Sequence, residues 1–571
     1  MASFDTSERC TTVSAPGKVL VAGGYLVLDR PNVGVVLAAT ARFFTSVKWT
    51  EEEAPVPVEV SVQEPGTLPQ RLKIKVESPQ FRSVYWYECV FYEDGRLPVL
   101  LSSPEQAPNT FVERAFTYVL GYLLQTDGAG VREGNTLMEA LSDVGTGSRA
   151  LAVKLRADND FYSQTSQLCA RGLPYTAEAL ATLPPFLECP VADDGSVVVA
   201  KTGMGSSAAL VSSLVGALLT FFGAARLPCL DGVVSGSSPT GAHDCGPGLS
   251  ESLDLTHNLA QACHCVAQGK VGSGFDVSAA VYGTHTYTRF SPSELADALA
   301  AGDAPTVTPV RSESTEDAGV NMSPLERIAT CVRARGGWDA ARGQLRLPSC
   351  FRLLMGDVCG GSSTPSMVRK VQAWRADPST ADRARHVWLS LGSTNTIIAE
   401  MLNSLANAAA ASTDGHTFEA SAKVLSAVSP VEWAEANEGS MLGASSLENL
   451  LKLKAAFAKA RQLLREMGED AGVPIEPPVQ TKLVDATSAL PGVLCAGVPG
   501  AGGVDAVFAI VIHPDAEAGV RNLWASWLVG GTNSESAEGK DTGAVVCPLL
   551  LTASEGGIEG GILSTRRLPW A

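Results

Sequence analysis

The sequence predicts an α+β protein of two domains. Strand-like runs come in groups, helical runs are segregated from them, and glycine-rich turns mark the change from one to the other. Residues 19–27 and 33–40 are rich in β-branched side chains and flank Gly23-Gly24 and the turn Asp29-Arg30-Pro31-Asn32, and 58–62 and 72–76 continue the strand pattern. Apolar residues at helical spacing predict a helix over 111–124, and a short strand over 151–155 runs into Arg156-Ala157-Asp158-Asn159-Asp160. Val197-Val198-Val199-Ala200 predicts a strand, Gly203-Met204-Gly205-Ser206-Ser207 a turn, and 208–222 a buried helix too short and too serine-rich to span a bilayer. A Gly/Ser/Pro-rich insertion over 231–250 precedes a helix over 253–268, and 291–345 reads as a polar connector. The second half restarts with a strand at 350–355. Helices follow over 366–374, 384–409 and 447–467, then strands over 493–496, 506–512 and 543–552, with another Gly/Ser-rich loop at 530–541. The organisation expected is 1–290, a connector 291–345, and 346–571.

With 571 residues, 45% hydrophobic and 18% charged, the chain can bury at least two cores. A net charge of −17 argues against nucleic acid or an anionic membrane as partner, so an anionic ligand needs a local pocket. Thirteen scattered cysteines, an odd number, favour reduced thiols. Cys263-His264-Cys265 has no second ligand pair at zinc spacing and reads as a helix of small buried side chains. No signal pattern opens the chain and Pro569-Trp570-Ala571 differs from an S-K-L ending, so the expected compartment is the cytoplasm, a peroxisome-like organelle staying open.

Four segments carry chemistry. In Ser14-Ala15-Pro16-Gly17-Lys18-Val19, one lysine heads an apolar strand, where it either answers an anion or reaches water from the strand edge. The 203–207 turn is either a phosphate cradle, built from glycine backbone and a helix N-terminus, or a capped connection. In Gly272-Ser273-Gly274-Phe275-Asp276, the carboxylate is either a helix cap or an aimed group suited to aligning a nucleophile. Gly500-Ala501-Gly502-Gly503 either turns tightly or lets backbone approach a ligand.

Taken in order, Pro16-Gly17-Lys18, Gly203-x-Gly205-Ser206-Ser207-Ala208, Ser273-Gly274-x-Asp276 and Gly500-Ala501-Gly502-Gly503 resemble the GHMP kinases across most of the chain. Ala22-Gly23-Gly24-Tyr25, His257-Asn258-Leu259-Ala260-Gln261 and the 360–368 and 498–503 segments resemble the eukaryotic branch of that family that acts on 5-phosphomevalonate. The resemblance implies a β-rich N-terminal ATP-binding domain with a left-handed-type βαβ nucleotide site and an α/β sandwich C-terminal domain. It implies ATP and Mg2+ as cofactors and transfer of the γ-phosphoryl group to the small-molecule acceptor. Carried over by position, Lys201, Gly203, Met204, Gly205, Ser206, Ser207 and Ala208 hold the triphosphate, with Ser207 a ligand of magnesium. Lys18 and Asp276 are catalytic. Lys18, Tyr25, Lys270, Ser273, Ser362, Ser363, Thr364, Arg369, Gly500, Ala501 and Gly502 face the acceptor. Tyr25 fits a core tyrosine equally well. One departure stands out: sister kinases carry a magnesium-binding glutamate about three helical turns before the aspartate, and here that zone reads Cys263-His264-Cys265-Val266.

Two other readings fit less well. Gly203-x-Gly205-x-x-Ala208 also matches a loose dinucleotide fingerprint, but no acid follows about 20 residues later on a second strand. Walker A, protein-kinase and nucleophile-elbow motifs are missing from the sequence. A non-catalytic sugar sensor on the same scaffold has no need for both Lys18 and Asp276.

Overall fold

The computed structural model describes residues 10–52, 67–102, 107–126, 137, 141, 149–229, 247–301, 322–332, 338–358, 364–411, 416–437, 442–529, 544–554 and 560–565. The larger sheet begins with β1 (Thr11–Ala22), β2 (Gly34–Thr50), β3 (Thr67–Ser78), β4 (Ser83–Tyr92), β5 (Val99–Ser102) and β6 (Ala150–Ala157). It is extended by β7 (His285–Thr288) and β8 (Ala341–Gln344). A second sheet holds β9 (Arg352–Asp357), β10 (Val493–Gly497) and β11 (Ala506–Val511). The short β12 (Leu528–Val529) and β13 (Ala544–Val545) pair with each other, β14 (Cys547–Pro548) joins the second sheet, and β15 (Leu563–Thr565) returns to the first.

The first sheet runs β15-β1-β2-β6-β3-β4-β5, antiparallel except for the parallel β3–β6 pair. Helix Thr110–Thr126 lies in the β3-to-β6 connection, as a parallel crossover requires. β2 is long enough to serve two neighbours along the edge away from β1. Gly34–Val36 pairs with β7, whereas Phe43–Thr50 pairs with β6. Helix Ser206–Phe221 packs on β1 and β2 and is itself covered by helices Thr110–Thr126 and Pro247–Gln268. That double coverage explains its near-continuous apolar sequence. Leu214, Val215, Leu218 and Leu219 are fully buried, each stabilising the fold by about 2 kcal/mol. Among the described residues, no helix is long and apolar enough to cross a membrane.

The second sheet runs β10-β11-β9-β14, all antiparallel. Strands β9 and β11 alternate between two cores. Leu354, Val507, Ala509 and Val511 face one core with Trp524 and Val520, while Leu353, Met355, Phe508 and Ile510 face the main core that the long helices share. Helices Ala381–Ala411 and Ala444–Ala471 pack along each other there. The chain then stitches back to the first sheet: Thr40 N donates to Thr552 O at 2.9 Å, Leu550 N donates to Asp160 Oδ1 at 2.8 Å, and β1 pairs with β15.

Two predicted strands are corrected. Residues 197–200 form no sheet strand: Val197 makes a lone bridge to Val191, Val198 N bonds Pro190 O, and Val198 and Val199 are 44% and 40% exposed. Strand propensity has no effect where no buried sheet edge is open to receive the run. The predicted 543–552 strand is interrupted, keeping only β13 and β14. Residues 58–62, 231–246 and 530–541 lie outside the described residues.

Buried histidines set an acid limit on stability. Burial holds His257 at about 3 and His285 at about 4, both below the ordinary 6.5. The folded state therefore binds fewer protons than the unfolded state once pH falls below 6.5, and the stability from these groups is lost progressively down to their folded values. At pH 5 each costs about 2 kcal/mol. Asp158, pushed up to about 6 by burial, works the other way and returns about 1 kcal/mol at that pH; buried Asp160 shifts in the same direction. The histidines win. Urea unfolding at pH 5 should give a stability roughly 1–3 kcal/mol below that at pH 7.5; equal or greater stability at pH 5 would contradict this account.

Candidate active site

A cleft of about 650 Å³ opens where β1, the 203–207 turn, the 270–276 segment, helix Thr364–Ala376 and the 499–506 loop meet. Lys18 enters it because β1 slips register against β2 between Pro16 and Lys18, and such a bulge re-aims a side chain. Gly17 sits at that slip. A Cβ there would lie 3.2 Å from the Phe161 ring and 3.4 Å from Met204 O, so glycine lets the strand lie against the cradle without the ring giving way by a few tenths of an ångström.

Lys18 and the cradle are one unit. Lys18 N donates to Met204 O and its Nζ to Gly203 O, both at 3.0 Å. Gly203 and Gly205 take φ of +78° and +74°, a region costly for any other residue, and Gly205 immediately precedes helix Ser206–Phe221. A Cβ on Gly205 would come within 3.0 Å of Lys18 Cε. The unpaired N–H groups of the first helical turn thus stand beside an ammonium, which suits a polyanion. Burial lowers the Lys18 pKa, the nearby Asp276 carboxylate opposes that shift, and the Phe275 ring lies 5.2 Å from Nζ.

Asp276 occupies the first turn of helix Phe275–Tyr282, following Gly274 at φ +82°. Its Oδ1 accepts from Val277 N at 3.0 Å, and its Oδ2 lies 3.9 Å from His264 Nε2. His264 Nε2 is also within 3.1 Å of Ser207 Oγ and 3.2 Å of the Gln268 amide nitrogen. Burial lowers the His264 pKa against the pull of Asp276, so the neutral ring can accept the Ser207 hydroxyl proton and leave that oxygen's lone pairs for another ligand.

The opposite wall is a suture of two glycine loops. Gly500 N donates to Leu20 O at 3.0 Å, Tyr25 Oη donates to Ala501 O at 2.7 Å, and a Cβ on Gly24 would collide with Gly500 O. Tyr25 is buried at φ +64°, a strained backbone for a tyrosine that the surrounding contacts must hold.

The cleft brings together Lys18, Tyr25, Lys201, Gly203, Met204, Gly205, Ser206, Ser207, Lys270, Ser273, Asp276, Thr364, Arg369, Gly500, Ala501 and Gly502. Ala208 does not line it and is packed in the core behind the cradle, 1% exposed. Ser362 and Ser363 lie outside the described residues. Lys18, Lys201, Lys270 and Arg369 outnumber the carboxylates of Asp276 and Asp505 on the lining. In a chain of net charge −17 this is a local positive site. Sequence reasoning missed Gln261, His264 and Gln268, which also line the cleft. Their spacing of i, i+3 and i+7 on helix Pro247–Gln268 was the available signal of a shared face. Among the described residues, no group of three or more His, Cys, Asp or Glu side chains is arranged to hold a metal ion.

No protein-family model matches the chain. It is 36% identical over 525 residues to the peroxisomal phosphomevalonate kinase of Arabidopsis thaliana, covering 90% of this chain and 92% of that one. It is 33% identical over 578 residues to phosphomevalonate kinase erg8 of Aspergillus fumigatus, covering 96% of each chain. Among solved structures, the Streptococcus pneumoniae phosphomevalonate kinase in complex with phosphomevalonate and AMPPNP aligns over 90% of this chain and 96% of its own, at 14% identity and a TM-score of 0.48.

Proposed function

The chain belongs to the phosphomevalonate kinase family of GHMP kinases, and from that premise we propose that its cleft transfers the γ-phosphoryl group of ATP to (R)-5-phosphomevalonate. A bond forms between an oxygen of the acceptor phosphate and the γ-phosphorus, the bond from that phosphorus to the β,γ-bridging oxygen breaks, and ADP and 5-diphosphomevalonate leave. The observation that carries the reading is the convergence of Lys18, the 203–207 cradle and Asp276 on one positively lined cleft.

The residues divide the work by their chemistry. The glycine backbone of the cradle and the helix N-terminus bind and align the triphosphate, with Lys201 at the cleft mouth, exposed to solvent. Lys18 supplies positive charge where the transferring group is most charge-rich. A phosphate monoester has a second pKa of about 6, so the attacking oxygen is mostly deprotonated at neutral pH and no strong base is required. Asp276 therefore orients Lys18 and the acceptor. Lys270, Ser273, Thr364 and Arg369 flank the acceptor side, and Tyr25 holds the wall by its bond to Ala501 rather than through its hydroxyl in the cleft.

Magnesium, when bound with the nucleotide, supplies charge neutralisation to the phosphate oxygens. The donor set fits an ion that keeps most of its ligands from phosphates and water, since Ser207 offers one oxygen and its hydroxyl proton has an acceptor in His264. The free cysteines among the described residues favour a reducing compartment, the cytoplasm or a peroxisome-like organelle.

An ADP-release assay on 5-phosphomevalonate, mevalonate, homoserine and galactose tests the reading. Turnover is expected with 5-phosphomevalonate alone, and turnover with mevalonate but not its phosphate would refute the assignment.

A further inference from the structure

We infer that Arg289, assisted by Tyr287, is a positioning residue that sets the acceptor wall of the cleft, an inference that rests on the placement of the 270–273 loop on the acceptor side. His285, Tyr287 and Arg289 alternate along β7 and its extension, so their side chains share one face of the strand. Each is tied to the 271–278 segment, whose residues 271–276 line the cleft. His285 Nε2 pairs with Ser278 Oγ at 2.8 Å, and Tyr287 Oη donates to Ser273 O at 2.9 Å. Arg289 donates from Nε and Nη2 to Gly272 O at 3.1 and 2.8 Å, and from Nη2 to Val271 O at 3.0 Å. Its remaining arm, Nη1, donates to Leu28 O at 2.7 Å, joining the loop to the segment that follows Tyr25.

Three consecutive carbonyls, Val271 to Ser273, are thus held by two side chains. Val271, Gly272 and Ser273 line the cleft, but Tyr287 and Arg289 do not. The carbonyls therefore point behind the wall. Across a planar trans peptide the next N–H points the opposite way, so the Ser273 and Gly274 amides point away from Arg289 and Tyr287. The Gly272 amide is already used by the Cys265 thiol. With these three carbonyls tied back, the loop turns none of them against a dianionic acceptor, whereas a freed loop can rotate them toward it. Only a guanidinium can hold this pattern. Its rigid fork reaches three carbonyl oxygens at once, whereas a lysine ammonium on a flexible stem cannot span them.

The test is steady-state kinetics on the full chain with Arg289→Lys and Tyr287→Phe, each KM measured separately and thermal unfolding recorded alongside. Arg289→Lys should raise the acceptor KM by about tenfold or more, with the ATP KM changed less than about twofold. Tyr287→Phe removes one bond and should raise the acceptor KM by about threefold in the same selective way. A lowered Tm with unchanged acceptor KM, or a parallel rise in both KM values, would overturn the inference. If Arg289→Lys fails to fold, Tyr287→Phe decides alone on the same criterion. Wild-type turnover separates the two readings: failure with 5-phosphomevalonate and turnover of another acceptor refutes the function, and the same KM split with that acceptor still decides the role of Arg289.

Discussion

Lys18→Met should lower kcat by roughly 10²–10³-fold, the range for removing one preorganised charge donor from a transition state that concentrates negative charge. It should also raise the ATP KM, because Nζ is one of two Lys18 groups that hold the Gly203-Met204 turn. Asp276→Asn should cost only about tenfold, since the attacking phosphate oxygen is already ionised and the amide keeps the side chain's shape. The comparison is the decisive part. Parallel kcat measurements on the two variants at pH 7.5 would show Lys18→Met as the more damaged enzyme, and the reverse ranking would make Asp276 a base after all.

Among the described glycines, Gly502→Ala is expected to be the most destabilising alanine substitution, and Gly500→Ala two residues away a mild one. Both glycines hold positive φ, +78° and +66°, so each substitution carries about 1–2 kcal/mol of backbone strain. Their surroundings differ. A Cβ at Gly500 meets nothing within 4 Å, whereas one at Gly502 would overlap the backbone carbonyl of Ile475. That carbonyl cannot yield easily. Ile475 O accepts from Gly503 N at 2.8 Å, and the next residue, buried Glu476, is gripped by Arg461 at 2.6 Å and Arg465 at 3.0 Å. Gly502→Ala should therefore lose more than about 3 kcal/mol. Urea midpoints for the two variants check this, and equal losses would mean that strain alone, not packing, makes the loop glycine-rich.

Much of the site was legible because its requirements are local. A residue that must take positive φ, a hydroxyl pair opening an apolar helix, and a lysine in a strand of valines and leucines are visible within a few neighbours. The same applies to the long helices, whose apolar spacing survives in Ala381–Ala411 and Ala444–Ala471. His264 was read as part of a cysteine-flanked helix and of a family segment but not as a residue of the cleft, because its partners Ser207 and Asp276 lie on other elements. Residues 197–200 were misread for the opposite reason: their β-branched side chains report propensity, and propensity does not say whether a sheet edge is free.

By itself the sequence determined the α+β class, the order of the chemical segments, and which residues would carry charge and backbone freedom. The tertiary structure alone decided how those segments meet. Lys18 and Gly203 are 185 residues apart, and Tyr25 and Ala501 are 476 apart. Bonds of that reach are set by which sheet edges and helix faces pack together. The physical reason is that a backbone conformation is chosen by its immediate neighbours, whereas a side chain's partner is chosen by the fold that delivers it.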